Sequence, residues 1–185
     1  PVQLLILNMI YDISCLALPF DNVDEDYLKI PRKWNADSIG QFMLRIGPTS
    51  SIFDISTYLF MFFVICPMAF GGAYSALDPG KQLAFAALFQ AGWFVESQWT
   101  QSMVIHTLRT RHIPIIQSNA SKIVYLLTGC GIAVSTCLAV FIGFGAGPQK
   151  LGLLYFIYIV VVVLVYSFVA SIAKNAFVKK YGELL

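Results

Sequence analysis

Asp12 stands inside an otherwise apolar run, residues 2–20, with Asn8 four positions before it. On a helix that spacing sets both side chains on one face. A carboxylate and an amide carbonyl supply hard oxygen donors, which suit Mg2+ or Ca2+ and not a thiolate-seeking metal. Mg2+ keeps several waters and takes one or two carboxylates, so a sparse set of protein ligands is enough for it. The alternative for Asp12 is a buried hydrogen-bonding role that fixes one helix to another. Glu96, Gln98 and Gln101 form a second polar group in a later apolar stretch. At 3.6 residues per turn, Gln98 and Gln101 share a face while Glu96 points toward the side of Gly92 and Thr100. One helix therefore cannot aim all three at a single ion. Glu96 stays open to three roles, a second ligand, a proton acceptor or an interhelical hydrogen-bonding group. Asp54 reads as a first-turn residue of a helix starting near Thr49 or Ser50, where a carboxylate favours the helix N-terminus; a transport role is the alternative. His106, close in sequence to Arg109 and Arg111, reads as interfacial.

The elements that must position these residues follow from composition. The 185 residues are 58% hydrophobic and 12% charged, against about 25% charged in an ordinary soluble domain. That excludes a disordered tail, a nucleic-acid module and a cytosolic enzyme, and a net charge of +2 is too balanced for a polyanionic partner. A helix needs about 20 residues to cross about 30 Å of hydrocarbon. Five stretches qualify, 2–20, 51–70, 83–107, 123–144 and 151–173, so the expectation is an all-α integral membrane bundle of five transmembrane helices, one membrane domain over 1–185. The third stretch is the most polar and should face protein. The fifth holds no ionisable group and should face lipid. Gly129, Gly131, Ala133 and Ser135 should let the fourth pack closely.

The connections alternate in charge. Lys29, Arg32, Lys33, Arg45, Arg109, Arg111, Lys122, Lys174, Lys179 and Lys180 fall on one side and only Lys81 and Lys150 on the other. The positive-inside rule then makes 21–50 and 108–122 cytoplasmic loops, with the N-terminus outside and the C-terminus cytoplasmic. The acidic cluster from Asp21 to Asp26 is either a solvated loop or helix cap, or a contact with a cytoplasmic domain. Pro31, Gly47 and Pro48 punctuate the approach to the second helix. Cys15, Cys66, Cys130 and Cys137 read as apolar packing residues. No phosphate-binding loop, zinc-protease motif or nucleophile elbow is present, so the chain should carry no catalytic or cofactor-binding residue and cannot hydrolyse ATP by itself. It begins at Pro1 directly in apolar sequence, which suggests a piece of something longer.

The string Pro1-Val-Gln-Leu-Leu-Ile-Leu-Asn-Met-Ile-Tyr-Asp12 resembles the sixth transmembrane helix of the P-type cation ATPases. The likeness continues through Ile46-Gly-Pro-Thr-Ser-Ser-Ile-Phe-Asp54, Gly92-Trp-Phe-Val-Glu96 and His106-Thr-Leu-Arg-Thr110, strings similar to those of the bacterial magnesium-transporting subgroup. It covers essentially the whole chain, as helices six to ten. The resemblance implies an ATP-driven pump moving Mg2+ into the cytoplasm across a bacterial inner membrane. Asn8 and Asp12 match the family's ion-binding positions, Gln98-Trp99 with Gln101 a weaker match on the eighth helix, and Glu96 belongs to the subgroup string without a role to transfer. Calcium pumps usually carry Thr where this chain has Tyr11, which counts against a calcium site. By the same resemblance, ATP and the phosphorylated Asp-Lys-Thr-Gly-Thr motif belong to a part of the pump absent here. The partners would be the lipid bilayer and the pump's N-terminal helices and cytoplasmic domains, with no nucleic acid. The fragment alone should be inactive. Other readings are a P-type pump for Ca2+ or another cation, and a non-enzymatic membrane scaffold or subunit.

Overall fold

The computed structural model describes residues 2–24, 29, 36–110, 112–143 and 150–181, without the side chains of 36–39, 41–42, 45–46 and 180–181. Pro1, Glu25, Asp26, Pro31, Arg32, Lys33, Arg111, Phe144 and the side chains of Arg45 and Lys180 lie outside that set. Five long helices occur among the described residues. Helix α1 is Val2–Cys15, followed by a single 3-10 turn at Leu18–Phe20. Helix α2 runs over Ala36–Phe60, passes through a π-turn at Met61–Ile65 and ends with Cys66–Phe70. Helix α3 is Pro79–Leu108. Helix α4 is Lys122–Cys137 with a π-turn at Leu138–Ile142, and α5 is Leu153–Tyr181.

Local chemistry explains the boundaries. In the wide turn of α2 the Cys66 N–H bonds to Met61 O, five residues back, which fits the chain to Pro67, a residue with no N–H of its own to give. Gly71 then ends the helix at φ 76°, its N–H bonded to Pro67 O at 2.8 Å, a left-handed cap that glycine adopts without strain. Gly143 closes α4 in the same manner at φ 62°. At the other end of α4 the Ser121 hydroxyl accepts the Val124 N–H, an N-cap.

The second helix begins at Ala36, not near Thr49 or Ser50. Pro48 sits inside it, where a proline removes one backbone donor without ending a helix held by its neighbours. Asp54 is consequently a mid-helix residue, and the capping role expected for it is overturned. Much of 21–50 is helix rather than loop. Helix α5 likewise continues past 173, so Lys174 and Lys179 are helical residues.

Four of the five helical segments are long and apolar enough to cross a membrane, Val2–Phe20, Gly47–Ala76, Lys122–Ile142 and Leu153–Lys179. The exception is α3, which spans about 45 Å at 1.5 Å per residue but is interrupted by polar side chains. It lies at the centre, packed against α1, α2, α4 and α5. Leu88, Ala91, Phe94 and Val95 of α3 meet Met61, Ile65 and Cys66 of α2, Tyr155 and Ile159 of α5 and Leu7 of α1 in one core. The closest approach is at Gly92, where a Cβ would fall 2.6 Å from Met61 Sδ. Helix α5 buries Tyr155, Ile159, Val162 and Tyr166 while Ile157, Val161, Leu164 and Phe168 point outward, so only one of its faces is free for lipid. In α4 the small residues divide similarly. Gly131 and Ser135 are buried, whereas Gly129 and Ala133 face outward and close no helix contact.

Candidate functional site

Helix α1 turns Leu7, Ile10 and Ser14 inward. Ser14 Oγ donates to Ile10 O at 2.9 Å and to Leu127 O at 3.4 Å, and a Cβ on Gly131 would be 3.1 Å from both Ile10 and Ser14. With that face committed, helical register carries Asn8 and Asp12 to the opposite side, where both are exposed. The two expected ligands therefore do share a face, and it is the face turned away from the rest of the chain.

The polar residues of α3 divide between its neighbours. Gln98 is fully buried toward α1 and α4, its Nε2 donating to Ser102 Oγ at 3.5 Å and lying near Gly131; its Oε1 has no partner among the described residues. Ser97 faces α2, where its hydroxyl reaches Asp54. Gln101 follows Ser97 by four residues and Gln98 by three, so it lies between those directions on α3, half-buried. Glu96, 1% exposed, stands three residues after Trp93 and one before Ser97, both of which donate to Asp54, so it is buried on the side of α3 turned to Asp54, and neither of its oxygens accepts a bond from a described donor. The structure thus leaves Asn8 and Asp12 on an outer face, leaves Gln101 half-buried on α3 and buries Glu96 beside Asp54. Among the described residues no three His, Cys, Asp or Glu side chains gather in a metal-binding group.

Asp54 Oδ1 accepts from Trp93 Nε1 at 3.0 Å and from Ser97 Oγ at 3.5 Å. Nothing in the local sequence signals this pairing while Pro48 is read as a helix start. His106 is buried, sharing a 3.0 Å hydrogen bond with Thr128 and stacking on Tyr125 at 5.2 Å. It fastens α3 to α4 instead of lying at an interface with water.

The ends of α1, α3 and α5 and the start of α4 are tied together. Arg109 Nε donates to Asp21 Oδ2 at 2.6 Å, and Asp21 Oδ1 accepts the Ser121 N–H at 2.7 Å. Asp24 accepts from Ser118 Oγ at 2.6 Å and from the Thr110 hydroxyl. Burial pushes the Asp24 carboxyl up, but the two hydroxyls, with His112 and Arg109 nearby, outweigh burial and hold it below the usual carboxylate range. Asp21 and Asp24 are therefore not freely solvated but bind the 109–121 loop, Asp21 at the N-terminus of α4. Lys174, 1% exposed, donates to Thr107 O and Thr110 O at 3.1 Å and to His112 O at 2.9 Å. It caps the end of α3, where a cation also meets the negative end of the helix dipole.

An oxygen face inside the apolar zone can hold a hard cation when further ligands join it. The family model described as "Cation transporting ATPase, C-terminus" matches residues 1–176. The chain is 42% identical over 184 residues to the "Magnesium-transporting ATPase, P-type 1" of Salmonella typhimurium strain LT2. It is 36% identical over 188 residues to a protein of the same description from Escherichia coli K12. Each match takes in 98% of this chain and 19% of the relative, so the chain spans about a fifth of their length.

Proposed function

This chain belongs to the cation-transporting ATPase family as its C-terminal membrane region, and from that premise we propose that it forms part of the ion path of an ATP-driven pump that carries Mg2+ into the cytoplasm. The observation that carries the reading is the outward face of α1. A carboxylate inside an apolar span is costly unless it is paired or coordinated, and Asp12 is offered, with Asn8 on the same face, to whatever packs there. Their oxygens suit Mg2+, and Gln101, half-buried on α3, would add an amide oxygen. Glu96 has no part in that set. The remaining ligands would come from other helices of the pump.

Tyr11 favours Mg2+ over Ca2+ as cargo, since the position before Asp12 packs its side chain among Ala17, Ile105 and Val124 instead of offering a small hydroxyl ligand. ATP would be bound and hydrolysed by the part of the pump beyond this chain. The Asp21, Arg109 and Lys174 ties gather the basic connections at one end of the bundle, which supports an orientation with that end cytoplasmic. The test is transport by the intact protein in sealed proteoliposomes with ATP outside. Mg2+ leaving the lumen against its gradient supports the reading; ATP-dependent movement of Ca2+ with none of Mg2+ refutes it. An in-frame Asp-Lys-Thr-Gly-Thr motif in the coding sequence before Pro1 is required by it.

A further inference from the structure

We propose that Asp54 and Glu96 form a proton-binding site, separate from the Asn8–Asp12 face, in which Glu96 holds the proton as a neutral acid and donates it to Asp54. Two observations carry this. The Glu96 carboxyl is 1% exposed, and no described donor serves either of its oxygens. A buried ionised carboxylate without donors is strongly disfavoured, and a neutral acid is not. The second is the partner. Trp93 and Ser97, three residues before Glu96 and one after it on α3, both donate to Asp54, which sets the Asp54 carboxyl beside that of Glu96, and a hydrogen bond between two carboxyls forms only when one of them carries a proton.

The surroundings decide which one. Asp54 Oδ1 already accepts from the Trp93 indole and the Ser97 hydroxyl, and donors aimed at a carboxylate favour its charged form. The Thr100 hydroxyl lies beside the Glu96 carboxyl, but its proton is directed to backbone oxygens. The Thr100 hydroxyl donates to Glu96 O and Ser97 O at 3.1 Å, and the Tyr155 hydroxyl donates to Gly92 O. The titratable groups facing the pair are Tyr58 from α2 and Tyr155 and Tyr166 from α5, with Tyr11 of α1 acting on Tyr166. None of these is a cation, and among the described residues no cationic side chain acts on Glu96. A divalent ion would need several more oxygens than this pair offers, whereas a proton needs none. Asp54 is less buried than Glu96, so a proton leaving Glu96 passes to Asp54 and outward from there, Glu96 becoming a carboxylate as Asp54 becomes the acid.

This site stands independently of the cargo ion, and its test reads protons rather than transport. Infrared spectra of the intact protein in lipid nanodiscs at neutral pH should contain a slowly deuterating protonated-carboxyl C=O band. Glu96→Gln should remove that band, and Asp54→Asn should keep it and shift its position, because the acceptor becomes an amide. Glu96→Gln should also melt no lower than wild type, since an amide reproduces a neutral acid. A Glu96→Gln spectrum that retains the band and loses carboxylate absorption instead overturns the proposal. Disappearance of the wild-type band on adding Mg2+ overturns it too, making the pair a cation site. Should Glu96→Gln not fold, Asp54→Asn decides alone, and an unshifted band refutes the hydrogen bond.

Discussion

Lys174→Met removes a side chain that joins the end of α5 to the end of α3 and the loop that follows it. Three backbone oxygens lose a charged donor, those of Thr107, Thr110 and His112. Thr107 and Thr110 are 2% and 3% exposed, while His112 is exposed, so water can replace the ammonium only at the third. Two buried acceptors left unpaired cost about 1–3 kcal/mol each, and relief from burying a charge offsets part of that. The net expected loss is about 2–3 kcal/mol. Lys174→Arg should lose less, because a guanidinium keeps the charge but its planar fork cannot reach three oxygens spread over six residues as an ammonium does. The assay is thermal unfolding of the intact protein, followed by a thiol-reactive fluorophore at the fully buried Cys66, with Cys15, Cys130 and Cys137 replaced by alanine. The melting order should be wild type, then Lys174→Arg, then Lys174→Met. A Lys174→Met variant that melts with wild type refutes the capping argument.

Asp24→Asn tests the pH dependence of the loop clamp. Because the folded Asp24 carboxyl titrates below its ordinary value, its contribution is present above the unfolded value of about 3.9 and is lost as pH falls through the folded one. Protease cleavage in the 109–121 loop should rise at acid pH in wild type and be high and nearly pH-independent in Asp24→Asn. Gly92→Ala drives a methyl into Met61 and should destabilise by about 1–3 kcal/mol; a double-mutant cycle with Met61→Ala should show favourable coupling in the melting data. Trp99→Phe loses the 3.1 Å hydrogen bond from its indole to Thr136 and should cost about 1 kcal/mol, measured by the same thermal unfolding.

Helix number and the central position of α3 were legible in the sequence because lipid imposes length and apolarity on every outer helix, and α3 alone carries Glu96, Gln98 and Gln101. Asn8 and Asp12 were legible as a pair because four-residue spacing has one meaning on a helix. Helix starts were less so. Pro48 follows Gly47 and reads as a boundary, but a helix supported on both sides carries a proline through, and Asp54 moved with it from a capping position to mid-span. Lys174 was misleading for a related reason. A lysine after an apolar run reads as a solvated flank, and only the fold brings the carbonyls of Thr107, Thr110 and His112 to it. The Asp21 and Asp24 cluster likewise found partners about ninety residues away, a distance at which local pattern carries no information.

The central claim concerns Asp12. The most direct measurement is Mg2+-stimulated ATP hydrolysis by the intact protein carrying Asp12→Asn, beside wild type and at matched thermal stability. An amide keeps the shape and removes the charge that offsets a divalent ion in an apolar setting. Stimulation by Mg2+ should be lost in Asp12→Asn and present in wild type; equal stimulation in both would remove Asp12 from the ion path.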